Sequence, residues 1–206
     1  MRPFSTRHLY LASRSPRRLE LLRQIGVEPT VLPTRVSQGR LDVDEAPLPR
    51  ESPRAYVTRL AMLKAEAGHR ARLGRNLPPW PILAADTTVV LDRRILGKPA
   101  HVDEAAAMLR AYSGRTHRVL TAVALADEGY VRSAVSVSNV RFRDISEAEI
   151  QAYVASREVY DKAGGYGIQG RAAVFIEHLS GSYSGVMGLP LYETSELLKS
   201  VGFDIL

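Results

Sequence analysis

The run Leu9–Ala12 leads into Ser13-Arg14-Ser15-Pro16-Arg17-Arg18. Ser15 before Pro16 has the order of a helix N-cap followed by proline at the first helical position. Hydroxyls and guanidiniums at such a point stand before the unpaired N–H groups and the positive end of a helix, where phosphate binds well. The segment holds no glycine, so side chains would grip the phosphate more than a backbone nest would. An ordinary cap with exposed arginines is the plainer reading of the same residues.

Asp86 is the second candidate. It lies inside the apolar run Ile82-Leu83-Ala84-Ala85-Asp86-Thr87-Thr88-Val89-Val90-Leu91. A carboxylate buried there without a partner costs several kcal/mol, roughly, so it either is hydrogen-bonded, binds a cation, or serves as a base toward water. Thr87 points to the opposite face of a regular strand. Lys64 borders the apolar face of a helix that includes Leu60 and Leu63. Lys98 sits in Leu96-Gly97-Lys98-Pro99, where the proline holds it extended. A point charge in either place suits phosphate oxygens, and a snorkelling lysine is the alternative. Glu45 is a candidate metal ligand, with a solvated acid as the plainer reading. Gln169, in the glycine-dense stretch 161–170, offers donors and an acceptor to a nucleobase edge. His117, beside Arg115 and Thr116, reads as a surface histidine or a phosphate contact.

These residues need elements to hold them. Leu9–Ala12 reads as a short buried strand, followed by a helix through Leu19, Leu22 and Ile25 that stops at Gly26. Residues 33–52 read as a loop or ragged strand. Ser52-Pro53 repeats the cap-plus-proline start for a helix bearing Tyr56, Leu60, Leu63 and Ala67. Strands are expected at Ile82–Leu91, Val119–Ala126 and Tyr130–Phe142. A helix capped by Asp103 ends at Gly114, and Ser146 with Glu149 forms a capping box for another. Ala172–His178 and Tyr183–Met187 read as a hairpin, and a last helix spans about 192–201. Alternating helices and strands with hairpins mixed in mean an α/β fold with a mixed sheet.

Composition narrows the class further. The 206 residues are 45% hydrophobic and 24% charged, which suits a globular chain with a sizeable core and excludes disorder or low complexity. No cysteine is present, so disulfides, thiolate metal sites and a cysteine nucleophile are excluded. No apolar run approaches the ~18–20 residues of a membrane span, and the first apolar stretch is too short for a signal peptide. A cytoplasmic protein without membrane attachment is the expectation. The formal charge of +6 favours anionic partners. Its arginines are dispersed, with no basic-aromatic stripe, which favours a small phosphorylated ligand over nucleic acid.

Taken in order, the stretches 11–18, 56–65, 84–91, 96–99, 113–117, 161–170 and 188–191 resemble the Maf family of nucleoside triphosphate pyrophosphatases, over nearly the whole chain. The resemblance implies one Maf-like domain over 1–206. Its fold would be a mixed twisted sheet with flanking helices, in two lobes around a central cleft, similar to the inosine triphosphate pyrophosphatases. It implies hydrolysis of a nucleoside triphosphate to monophosphate and pyrophosphate, with Mg²⁺ or Mn²⁺, in a homodimer. Asp86 matches the family's proton acceptor. Ser13, Arg18, Lys64 and Lys98 match its phosphate positions, and Glu45 falls near its metal-binding acid. Arg17, Thr87 and Gln169 match the positions that separate substrates. This set is similar to the branch acting on dTTP and UTP, whereas the 7-methyl-GTP branch carries a tryptophan at the Arg17 position and an acid at that of Gln169. Arg14 stands where relatives often carry a small residue. A house-cleaning role toward modified pyrimidine nucleotides is a further option. The alternative from another class is a non-catalytic nucleotide- or nucleic-acid-binding regulator of cell division, which the resemblance also suggests.

Overall fold

The computed structural model describes residues 7–33, 43–127 and 129–205. Part of the 33–52 stretch, residues 34–42, and Glu128 lie outside the described residues. A seven-stranded mixed sheet runs through the protein, in the order β2-β1-β3-β5-β6-β7 with β4 beside β3. The strands are β1 (Tyr10–Leu11), β2 (Thr30–Val31), β3 (Ile82–Leu91), β4 (Arg94–Leu96), β5 (Thr116–Asp127), β6 (Tyr130–Phe142) and β7 (Ile176–Ser180). The helices are α1 (Pro16–Gln24), α2 (Pro53–Gly74), α3 (Val102–Tyr112), α4 (Glu147–Ala155), α5 (Tyr183–Met187) and α6 (Leu191–Lys199). The expected α/β architecture with a mixed sheet is the one found. Among the described residues, no helix is long and apolar enough to cross a membrane.

The chain divides into two compact units. The first holds residues 7–33, 43–86, 121–127, 129–135 and 188–205 of those described. Here β1 pairs in parallel with β2 and with the start of β3, Tyr10 opposite Ile82 and Leu11 opposite Leu83. Helix α2 begins where Ser52 Oγ accepts from the Ala55 N–H at 3.2 Å. Val57, Ala61, Lys64 and Gly68 recur at steps of four and three, so they share one side of α2. That side carries small residues because it lies close on the strands. A Cβ on Gly68 would sit 2.7 Å from Ile82 Cγ2 and 2.9 Å from Ala12 Cβ. The expected stripe Tyr56, Leu60, Leu63 and Ala67 also exists, and it packs around Val43. We expect Gly68→Ala to cost about 1–3 kcal/mol by overpacking. Thermal unfolding checks this, with a fall of roughly 2–4 °C per kcal/mol in a chain of this size.

The second unit holds residues 87–120 and 136–187. Its core gathers Val89 and Leu91 of β3, Ala105, Met108, Leu109 and Tyr112 of α3, and Phe142, Tyr166 and Phe175. The Ser146–Glu149 capping box is present as read. Three readings need correction. The cap of α3 is His101, whose ring accepts from the Glu104 N–H, because the helix starts two residues earlier than a cap at Asp103 implies. Ser15 occupies the N-cap position of α1, but its side chain makes no capping bond. The hairpin expected over 172–187 is instead a 3₁₀ turn at Arg171–Phe175, then β7, then α5. β7 pairs antiparallel with β6, and the Ser182 hydroxyl accepts from the Gly185 N–H at 2.9 Å, which starts a helical turn where a strand was expected.

Candidate active site

The run Ile82–Leu91 is buried at every position except Thr87, as a central strand covered on both faces should be. Pairing with β1 ends at Leu83 and pairing with β4 begins at Val89. Asp86 falls between the two and is only 8% exposed. Its carboxylate is not alone. Lys64 Nζ donates to Asp86 Oδ1 at 2.6 Å. The same nitrogen lies 2.7 Å from Glu45 Oε1. Two carboxylate oxygens held 2.6 and 2.7 Å from one nitrogen can be no more than 5.3 Å apart, the sum of the two distances. The trio carries a net charge of −1 when all three groups are ionised.

Glu45 lies on no helix or strand, so other contacts must place it. Tyr56 donates its hydroxyl to the Glu45 carbonyl at 3.0 Å. Arg59, one turn further along α2, donates to the Ala46 carbonyl at 3.1 Å and to both Glu51 oxygens at 2.7 Å. Glu51 in turn accepts from the Leu48 N–H. The Arg59 guanidinium holds the Glu51 carboxyl down at about 2. A depressed carboxyl contributes above its ordinary range and loses that contribution only as pH falls through its folded value. The segment 45–51 is therefore fastened to α2 across the whole neutral range.

Ser13 and Arg18 meet at the start of α1. The Ser13 hydroxyl oxygen accepts from Arg18 Nη1 and from the Ser15 N–H, both at 3.2 Å. Arg18 Nε donates to the Gly188 carbonyl at 2.8 Å, which ties the first helix to the turn before α6. Burial lowers the Arg18 guanidinium from its ordinary value, Asp86 and Glu45 draw it back up, and Arg17 lowers it. The arginine thus feels both carboxylates. Arg17 is half-buried on the first turn of α1.

The structure brings Ser13, Arg18, Glu45, Lys64 and Asp86 together within the first unit. Thr87, Lys98 and Gln169 belong to the second. Thr87 is half-buried, one residue beyond Asp86 on an unbroken strand. Lys98 is exposed just after β4, and Gln169 is exposed between buried Ile168 and half-buried Gly170. His117 is not the surface histidine expected. It is 2% exposed, because β5 begins at Thr116 and turns the ring into the core. The sequence does not single out Arg59, and it gives Tyr56 only as part of the apolar stripe of α2. The signal available was the acidic stretch before α2, facing an arginine two turns into the helix.

A Maf-like protein model matches residues 8–201. The chain belongs to the Maf family. Several relatives are named dTTP/UTP pyrophosphatase. The one from Aromatoleum aromaticum is 56% identical over 207 residues, covering all of both chains. That from Nitrosomonas europaea is 56% identical and that from Chromobacterium violaceum 50%, each covering 96% of both chains. Among solved structures, the Staphylococcus aureus Ham1 protein overlays 95% of this chain and 97% of its own at a TM-score of 0.46 and 11% identity, too loose an overlay to add to the account of the fold.

No group of three or more His, Asp or Glu side chains gathers as a metal site among the described residues. The pair Asp86 and Glu45 nonetheless fits a divalent ion. Mg²⁺ is commonly held by one or two carboxylates with waters and substrate phosphates completing the shell. Two hard oxygen donors converging on one cation, here the Lys64 ammonium, make such a pair in this Maf protein.

Proposed function

We propose that this Maf protein is a nucleoside triphosphate pyrophosphatase acting on dTTP and UTP, releasing the monophosphate and pyrophosphate. The observation that carries this reading is the convergence of Asp86 and Glu45 on Lys64, next to the Ser13–Arg18 pair. The full-length relatives named dTTP/UTP pyrophosphatase support it. Both units together are read as one domain, working in the cytoplasm on a free nucleotide, with a homodimer as its assembly.

Each residue then has a chemical task. Asp86 takes a proton from water as that water attacks the α-phosphorus, and pyrophosphate departs with the electrons of the broken anhydride bond. Lys64, Arg18 and Ser13 donate to the phosphate oxygens as charge moves onto them, and Lys98 is assigned the same task. Little covalent work falls to the protein, so positioning and charge stabilisation carry the rate. A bound Mg²⁺ or Mn²⁺, held by Asp86 and Glu45, would neutralise phosphate charge and acidify a water.

Arg17, Thr87 and Gln169 are read as the groups that choose the base. The Gln169 amide can pair with the O4 and N3–H edge of uracil and thymine, where cytosine presents a donor and an acceptor in the reverse order. A site built on such bonds rejects bases that leave them unpaired. A panel of dTTP, UTP, CTP and 7-methyl-GTP with each ion, reading monophosphate and pyrophosphate, tests the reading. We expect kcat/KM for UTP and dTTP to exceed that for CTP by about 10-fold or more, as one lost pair of hydrogen bonds predicts. Preference for 7-methyl-GTP, or release of single phosphates, overturns it.

A further inference from the structure

Three side chains in the core of the second unit take no part in the chemistry above. His117 Nε2 lies 2.7 Å from the Tyr166 hydroxyl. Tyr112 donates its hydroxyl to the Gly164 carbonyl at 3.1 Å. Tyr112 also packs against the His117 ring, tilted by 33° to it, at 4.4 Å between centroids. All three side chains are buried. Polar groups buried and hydrogen-bonded in this way fix one geometry, which apolar groups of like shape would not do.

They converge on one segment. Gly164 and Gly165 have φ of +73° and +72°, a backbone that other residues rarely adopt. A Cβ on Gly164 would lie 2.6 Å from Val89 Cγ2 and 2.9 Å from the Tyr112 hydroxyl, so the loop is pressed onto β3 and α3. The Gly164 N–H donates to the Gly97 carbonyl at 2.8 Å, next to Lys98. Beyond Tyr166, Gly167 and Ile168 are buried and Gln169 emerges. The path to Gln169 is thus fixed at Gly164 by Tyr112, at Tyr166 by His117, and at Ile168 by burial.

We propose that Tyr112, His117 and Tyr166 are positioning residues for base selection, a buried clamp that fixes how the 164–170 loop presents Gln169. The inference rests on the reading of Gln169 as the base-selecting group. Burial pushes the His117 imidazole down to about 3, and it raises the Tyr166 phenol well above its ordinary value. The ring is therefore neutral and the phenol protonated at any working pH. His117 Nδ1 has no hydrogen-bond partner among the described residues. The two groups hold two donor protons and share one hydrogen bond, whose direction follows the ring tautomer. A clamp of neutral groups stays closed as pH changes, which suits a device for geometry.

Tyr166→Phe removes one hydroxyl and keeps the ring, and Tyr112→Phe does the same at Gly164. We expect each to lower the ratio of kcat/KM for UTP over CTP by about 5-fold, the size of one hydrogen bond, with kcat for UTP changed less than that. The deciding arm is a cycle with Gln169→Ala. In that background the Phe substitutions should leave the ratio unchanged, because the group they position is gone. Equal effects with and without Gln169, or an unchanged ratio in the single variants, overturn the clamp. Thermal unfolding of each variant identifies one that has lost its fold, and in that case His117→Gln replaces it in the cycle. A wild-type protein without preference for UTP would instead overturn the reading of Gln169 itself.

Discussion

Asp86→Asn should leave the protein folded and lower kcat for UTP by about 10²–10⁴, the range expected when a general base is lost. The substitution is close to isosteric, so the well-packed strand around it has no cavity to absorb. Asn keeps an oxygen that can accept from Lys64 Nζ, and Lys64 keeps Glu45 at 2.7 Å. What goes is the negative charge and the ability to take a proton. If Asp86 served only to neutralise Lys64, the variant would lose stability while turning over at close to the normal rate. The two roles therefore separate in one pair of measurements, kcat at saturating nucleotide and the unfolding midpoint. Near wild-type kcat removes Asp86 from the chemistry.

Much of the frame that holds Asp86 was legible in the sequence, and the reason is local. Ser52-Pro53 and Ser146 with Glu149 start helices through contacts that span only three or four residues. The run Ile82–Leu91 declares a fully covered strand by its apolar continuity, and its one acid stands out as the candidate site residue. Strand β2 escaped notice because both its residues are exposed and its pairing comes from a distant partner, Tyr10 and Leu11. The 172–187 stretch reads as a hairpin around Ser180-Gly181-Ser182, yet the Ser182 hydroxyl closes a helical turn that no periodicity reveals. His117 was misplaced for a related reason. Arg115, Thr116 and Arg118 around it are exposed, so its neighbours suggest a surface, while the inward pleat of β5 decides otherwise. Within the candidate site, the residue types were legible one at a time. That Lys64 stands between Asp86 and Glu45 was not, because it depends on a helix, a strand and a fastened loop meeting at one nitrogen.

Lys64→Met carries the second large effect. Methionine has a similar length and fits the apolar side of α2, so the loss is confined to the ammonium group. Two consequences separate by condition. In the absence of divalent ions, Asp86 and Glu45, whose oxygens lie at most 5.3 Å apart when held by Lys64, lose the ammonium between them. Like charges at that distance repel, and the partly buried Asp86 loses its hydrogen bond, a destabilisation of about 1–3 kcal/mol. Adding Mg²⁺ should restore much of the unfolding midpoint in the variant and change the wild type less, because in the wild type the ammonium already neutralises the pair. Catalysis should not recover in the same way. In the proposed mechanism Lys64 donates to phosphate oxygens whose charge grows as the anhydride breaks, and removing one such donor costs about 10²–10³ in kcat. A midpoint that ignores Mg²⁺ would mean that the two carboxylates do not form a cation site. A kcat that stays within a few-fold of wild type would mean that the lysine neutralises the carboxylates and nothing more.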